Sequence, residues 1–179
     1  ESYKLVVNIL PKKPESYFNL ANAYKKIKQL ELGIDNYKKA IELDPRYAQA
    51  YYNLGNLLKE IGELDEALKI YNKAAEISEC KVEAYNNLGG VLQEQGKLDE
   101  ALKTYSLAVS ESVTPIEFTS ETATLYNNIA SIYRFQGNKE KTAEYYKKAF
   151  LLNPKDGPIL LNYAVTCREE AYEDLEEKV

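Results

Sequence analysis

Four stretches of this chain overlay one another with their apolar residues in phase, and that periodicity restricts the fold more than any other property of the sequence. YYNLGNLLKEIGELDEALKIYNKA opens at Tyr51 and YNNLGGVLQEQGKLDEALKTYSLA at Tyr85. Another copy opens at Tyr17, and the interval from Tyr17 to Tyr51 equals that from Tyr51 to Tyr85. The last, YNNIASIYRFQGNKEKTAEYYKKA, opens at Tyr126, later than that interval predicts, so one connection carries seven extra residues. Self-similarity at a fixed period of this length marks stacked supersecondary units, each burying its apolar face against its neighbours.

The register holds residue by residue. Each copy opens on an aromatic, Tyr17, Tyr51, Tyr85 or Tyr126. Three residues on stands an aliphatic, Leu20, Leu54, Leu88 or Ile129, followed by a small residue, Ala21, Gly55, Gly89 or Ala130. Seven residues from the start comes Tyr24, Leu58, Leu92 or Tyr133. Spacings of three, four and seven put these side chains on one face of a helix. A second helix follows, with small residues at Gly33, Ala67, Ala101 and Thr142, tyrosines at Tyr37, Tyr71, Tyr105 and Tyr146, and alanines at Ala40, Ala74, Ala108 and Ala149. Small residues let two helix backbones approach, and the tyrosines and leucines fill the holes beside them. Gly62, Gly96 and Gly137 end the first helix, because glycine enters the left-handed conformation that a tight helical turn needs. Lys28 stands at that place in the first copy, so that turn is expected to be strained or looser. Pro11, Pro45 and Pro154 stop the second helix.

With four in-phase copies and the small residues in place, the pattern resembles the tetratricopeptide repeat (TPR), a helix–turn–helix unit, across almost the whole chain. Tyrosine stands where that family usually has tryptophan. The resemblance implies an all-α fold, a right-handed superhelical solenoid of antiparallel helix pairs. The expected division is the second helix of a preceding repeat at 1–13, repeats at 14–47, 48–81, 82–122 (with an inserted loop at 113–122) and 123–156, and a capping helix at 157–179. Tyr3 and Pro11 fall in register within Glu1–Lys13. The chain does not open on Met, so it is expected to belong to a longer array. At the other end Leu160, Tyr163, Ala164 and Cys167 are in phase, but Ala171 replaces the turn glycine. The helix is therefore expected to run on through Tyr172 toward Leu175, its charged residues from Glu169 to Lys178 solvating the end of the stack. In the insertion, Thr114-Pro115 disfavours helix. Phe118 would be an exposed aromatic there, and Thr119, Ser120 and Thr122 are candidate phosphate acceptors.

In a curved stack of such pairs the first helices line the concave groove. The most regular groove residue is an asparagine, Asn19, Asn53, Asn87, Asn128 and Asn162, in one register through every copy. An amide both donates and accepts hydrogen bonds, so such a column can grip an extended peptide by its backbone. The same face is expected to offer Asn22, Asn56, Asn86, Asn127 and Ser131, with aromatic Phe18 and Tyr52. Its charges balance, Lys25, Lys26, Lys59, Arg134 and Arg168 against Glu15, Glu60, Glu83, Glu94 and Glu169. Arg134 is the cation singled out for peptide contact. The NNLG run and the phrase LGGVLQEQGKLDEAL resemble the repeats of O-linked N-acetylglucosamine transferases. In that family an asparagine ladder presents protein substrates to a separate glycosyltransferase domain, and the resemblance implies that role for the five asparagines. The alternative is an adaptor or co-chaperone module unrelated to glycosylation, or a subunit of a ubiquitin-ligase, motor or trafficking assembly. A co-chaperone's carboxylate clamp would use Asn22 and Asn53, but it needs two basic residues where Glu83 and Asn87 stand.

Composition limits the remaining classes. The chain is 45% apolar and 28% charged, with net charge -5 and pI near 5.0, which suits a solvated fold with a real core. No basic stripe announces a nucleic-acid reader, and no apolar run reaches the roughly 18 residues of a membrane helix. The expected partners are proteins or extended peptides, without nucleic acid or membrane, and self-association is compatible with such an array. Histidine is absent, which removes the usual general base and the commonest metal ligand. No phosphate-binding glycine loop and no paired carboxylates stand in its place. We therefore expect neither catalysis by this chain nor a metal or cofactor. The two cysteines, Cys80 and Cys167, match no metal spacing and read as free thiols of a reducing compartment, cytoplasm or nucleus.

Overall fold

A computed structural model of the chain describes residues 12–77, 81–111 and 120–176. Among these, nine helices follow one another: α1 (Pro14–Lys26), α2 (Leu30–Leu43), α3 (Ala48–Glu60), α4 (Leu64–Glu76), α5 (Lys81–Glu94), α6 (Leu98–Glu111), α7 (Ser120–Phe135), α8 (Lys139–Leu152) and α9 (Gly157–Glu176). No strand occurs among the described residues. The chain divides inside α5, into a unit ending at Val91 and one beginning at Leu92.

Local chemistry sets the helix ends. Pro14 opens α1, where its fixed φ suits the first turn and its missing N–H costs no helical bond. Asp65 and Glu66 on α4, and Asp99 and Glu100 on α6, put negative charge at the positive end of the helix dipole. Asn138 caps α8, its Oδ1 accepting from the Lys141 N–H at 3.1 Å. Asp156 does the same for the Ile159 N–H at 3.0 Å at the start of α9.

The turns between paired helices share one hydrogen-bond pattern. Gly62 N–H donates to the Lys59 carbonyl at 3.0 Å and Glu63 N–H to the Leu58 carbonyl at 2.9 Å. The same two bonds recur at Gly96–Lys97 and at Gly137–Asn138. They close a helix through a residue in the left-handed region, and the three glycines have φ of +85°, +75° and +73°. Lys28 and Gln29 make the identical pair of bonds, to the Lys25 and Tyr24 carbonyls, with Lys28 at φ of +59°. Of the two expectations, strained or looser, the turn is not looser: it keeps the shared bonds and holds a lysine in the left-handed region, where a side chain is strained.

The core follows the sequence register. Leu20, Leu54, Leu88 and Ile129 are buried, as are Ala21, Gly55, Gly89 and Ala130. On the second helices Tyr37, Tyr71, Tyr105 and Tyr146 are at most 2% exposed, the largest fully buried side chains among the described residues. In the first unit α1 packs on α2, α2 on α3 and α3 on α4. Ala74, Ala75 and Ala84 join α4 to α5, flanked by Tyr51 and Tyr85. In the second unit α6 packs on α7, α7 on α8 and α8 on α9, with Ala123, Ala149 and Ile159 at the last junctions.

Helix α7 begins at Ser120, inside the stretch read from sequence as inserted loop. Thr122 faces the core, 5% exposed, and is not an accessible phosphate acceptor. Ser120 is exposed and accepts from Asn153 Nδ2 at 3.2 Å. Phe118 and Thr119 lie outside the described residues, as do Cys80 and the expected preceding helix with Tyr3 and Pro11. At the C-terminal end, α9 continues past Ala171, as its missing turn glycine leads one to expect.

Candidate functional site

The five register asparagines are not equivalent. In the first unit Asn19 is exposed on α1 and Asn53 half-buried on α3. Asn87 of α5 donates from Nδ2 to Asn56 Oδ1 on α3, 3.0 Å away. In the second unit Asn162 of α9 makes the matching bond to Asn127 Oδ1 on α7, at 2.9 Å. These two amides tie successive first helices together. Each keeps Oδ1 and one N–H for another partner. Asn128 is half-buried on α7.

A second set of bonds joins the two helices of a pair. The buried Tyr37 hydroxyl donates to Asn22 Oδ1 at 2.5 Å, and Tyr71 to Asn56 Oδ1 at 2.7 Å. In the second unit Tyr146 meets Ser131 Oγ at 3.1 Å. The Ser131 proton goes to the Asn127 carbonyl at 3.0 Å, so Tyr146 is the donor. Gly90 occupies this register in the third copy and offers no side chain. Tyr105 donates instead to Gln93, at a longer 3.5 Å. Each core tyrosine thus ends on an acceptor carried by the first helix. Burial pushes the Tyr37 hydroxyl up to about 12, and raises Tyr105 as well, with Glu94 adding to it.

Asn22 and Asn56, expected as peptide-binding residues of the groove, and Ser131, a further groove candidate, are half-buried and brace the core tyrosines. Asn22 and Asn56 turn their amide oxygen inward and retain their NH2 groups. Both registers are visible in the sequence, but their pairing is not, because it joins residues on different helices. Asn56 accepts from Tyr71 and from Asn87, linking the internal brace to the surface asparagine.

Phe18 and Tyr52 pack over the same tyrosines. Phe18 lies 5.8 Å from the Tyr37 ring and 5.1 Å from Tyr47, and Tyr52 lies 6.5 Å from Tyr71. Both are half-buried. Arg134 is held by Glu169 of α9 at 2.6 Å, both groups being open to water. Lys28 and Glu60 make a similar link at 2.9 Å, which pulls the Glu60 carboxyl below its ordinary value. No helix among the described residues is long and apolar enough to cross a membrane.

Helix pairs closed by left-handed turns, with small residues at their crossings, define a helical-repeat protein. Sequence models of the tetratricopeptide repeat match residues 14–47, 36–69 and 81–151, and a TPR-repeat model matches residues 55–96. The chain belongs to the tetratricopeptide-repeat family. No sequence of a curated protein matches it. Among solved structures it is similar to MamA, at 28% identity and TM-score 0.72, over 86% of this chain and 85% of that one. It is also similar to PilF of Pseudomonas aeruginosa, at 23% identity and TM-score 0.74, over 89% of this chain and 69% of that one. A thermophilic TPR protein of Thermus thermophilus aligns at 22% identity and TM-score 0.66, over 92% of this chain and 87% of that one. The last two likenesses concern the fold alone.

Proposed function

We propose that the chain is a non-catalytic scaffold that binds extended segments of partner proteins along its first-helix face. The observation that carries this reading is the amide set. Asn19 and Asn53 have side chains that make no hydrogen bond among the described residues, and Asn87 and Asn162 are held in place by their neighbours while keeping Oδ1 open. Side chains so oriented meet a peptide backbone with little loss of their own freedom, which is what pre-organisation contributes to affinity. Phe18 and Tyr52 add apolar contact beside them, and Arg134 a cation shared with Glu169. The partners are proteins or peptides rather than nucleic acid or membrane, and the site needs no cofactor or metal. The reducing-compartment reading, cytoplasmic or nuclear, rests on cysteine usage alone.

The test is direct. Peptides selected from a display library on the intact chain are measured against the triple variant Asn53→Ala, Asn87→Ala, Asn128→Ala. Three backbone bonds of about 1 kcal/mol each correspond to a loss of ~100-fold. Undiminished affinity, with an unchanged circular-dichroism spectrum, ends this reading.

The finer reading is that the scaffold presents substrates to an O-GlcNAc-type glycosyltransferase. It rests on the asparagine register and the phrase LGGVLQEQGKLDEAL. The full open reading frame decides it, since a frame without a glycosyltransferase domain removes it and leaves the adaptor reading. Titration with an acidic C-terminal chaperone peptide tests the co-chaperone form of that alternative. The Glu83 and Asn87 positions predict no micromolar binding.

A further inference from the structure

The α7–α8 pair departs from the repeat register on one outer face, and the departures meet in space. Lys141 stands where α4 and α6 carry Glu66 and Glu100, and Tyr145 where they carry Ile70 and Thr104. On α7, Tyr133 stands where α3 and α5 carry Leu58 and Leu92. The Tyr133 and Tyr145 rings stack, 5.6 Å apart at 28°, and Tyr126 lies 5.9 Å from Tyr145. Lys141 Nζ sits 4.8 Å from the centre of the Tyr133 ring and 3.5 Å from its hydroxyl oxygen. Lys148 Nζ sits 4.6 Å from the centre of the Tyr145 ring and is paired with Glu144. The three rings are half-buried and Lys141 is exposed. Glu66 and Glu100 are exposed too, within pairs that have others before and after them, so this register lies on the outside of the repeat.

Folding does not call for these residues. Helices α3 and α4 pack on each other with Leu58, Glu66 and Ile70 in their places. The first turn of a helix favours acids, which α4 and α6 supply, whereas α8 puts Lys139 and Lys141 there. Helix α8 carries four lysines against two glutamates, while acids outnumber lysines on α2, α4 and α6. On a chain of net charge -5, α8 is therefore where an acidic partner meets attraction. Lys141 donates to the Tyr133 oxygen, which leaves the phenol proton and two ammonium protons for a carboxylate.

We propose that this cluster docks an acidic segment of a partner protein. One carboxylate lies between the Lys141 ammonium and the Tyr133 hydroxyl, and an apolar neighbour rests against Tyr145. Lys148, shared with Glu144, adds attraction at the far side of the stack. A nucleic-acid strand suits the site less, because bases stack on open ring faces. Here Tyr133 and Tyr145 cover each other and carry ammonium groups. The site stands apart from the first-helix asparagines and does not rest on them.

A fluorescein-labelled peptide of alternating glutamate and leucine, titrated into the whole chain and read by fluorescence anisotropy, tests the proposal. The peptide binds, and binding weakens as added salt screens the exposed charges. Lys141→Glu restores the residue of α4 and α6 and suits the first turn, so it folds with the parent's melting temperature. Its affinity falls roughly tenfold or more, a charge-assisted contact having become a repulsion. Tyr145→Thr, which restores the residue of α6, weakens binding as well. Lys147→Glu makes the same change of charge on another face of α8 and has a much smaller effect. A parent that does not bind the peptide, or equal losses for Lys141→Glu and Lys147→Glu, overturns the proposal. So does a single-stranded oligonucleotide that binds more tightly than the peptide. The variant Asn53→Ala, Asn87→Ala, Asn128→Ala keeps the parent's affinity for this peptide, and loss of binding there would put the peptide on the first-helix face instead.

Discussion

Removing the acceptor of a core tyrosine should cost more than removing the hydroxyl it receives, and Tyr37 with Asn22 is the cleanest place to measure this. Tyr37 is fully buried and its hydroxyl lies 2.5 Å from Asn22 Oδ1. Tyr37→Phe deletes the donor but keeps the ring that fills the helix crossing. The expected loss is about 1 kcal/mol, the net worth of one intramolecular hydrogen bond. Asn22→Leu keeps the buried phenol and takes away its acceptor. The desolvated hydroxyl then goes unmet, at a cost of roughly 1–3 kcal/mol. The double variant restores an apolar match, so its loss should fall short of the sum of the single losses by about 1 kcal/mol. Urea unfolding of the four proteins, with m-values compared for consistency, gives the cycle. Additive losses within error, or a cheaper Asn22→Leu than Tyr37→Phe, would falsify the brace as an energetic unit.

Three further outcomes follow from the same geometry. Gly55→Ala is expected to destabilise by roughly 1–3 kcal/mol through overpacking, despite alanine's better helix propensity, because its Cβ meets the Tyr71 ring. Equal or higher stability in urea contradicts the tight crossing. Lys28→Gly relieves a left-handed residue and should stabilise by up to about 1 kcal/mol, an exposed ion pair to Glu60 being worth less than that. Gly62→Ala should lose a similar amount, and a null result for both refutes the turn argument. The folded-state Tyr37 value near 12 exceeds its ordinary 10.0, so its contribution is whole below pH 10 and is lost as pH rises through 12. Alkaline unfolding followed by circular dichroism should therefore be less steep between those values in Tyr37→Phe, and an unchanged slope counts against it.

The contrast between α7 and the turns shows where sequence reading works. A left-handed turn residue is a local requirement, satisfied within a few bonds, so Gly62, Gly96 and Gly137 announce it and Lys28 flags the exception. The start of α7 depends on packing instead. Thr114-Pro115 suggested a loop reaching Thr122, but burial of Thr122 and Ala123 brings Ser120–Thr122 into the helix.

By itself the sequence determined the helix pairs, their turns and their core. Those depend on spacings of three, four and seven within one helix, and they recur with each copy. It also picked out the asparagine register. Tertiary structure decided what those side chains do, because hydrogen bonds between helices depend on which residues face each other at the crossing. That facing turned Asn22, Asn56 and Ser131 into braces for buried tyrosines and tied Asn87 and Asn162 to the preceding first helix.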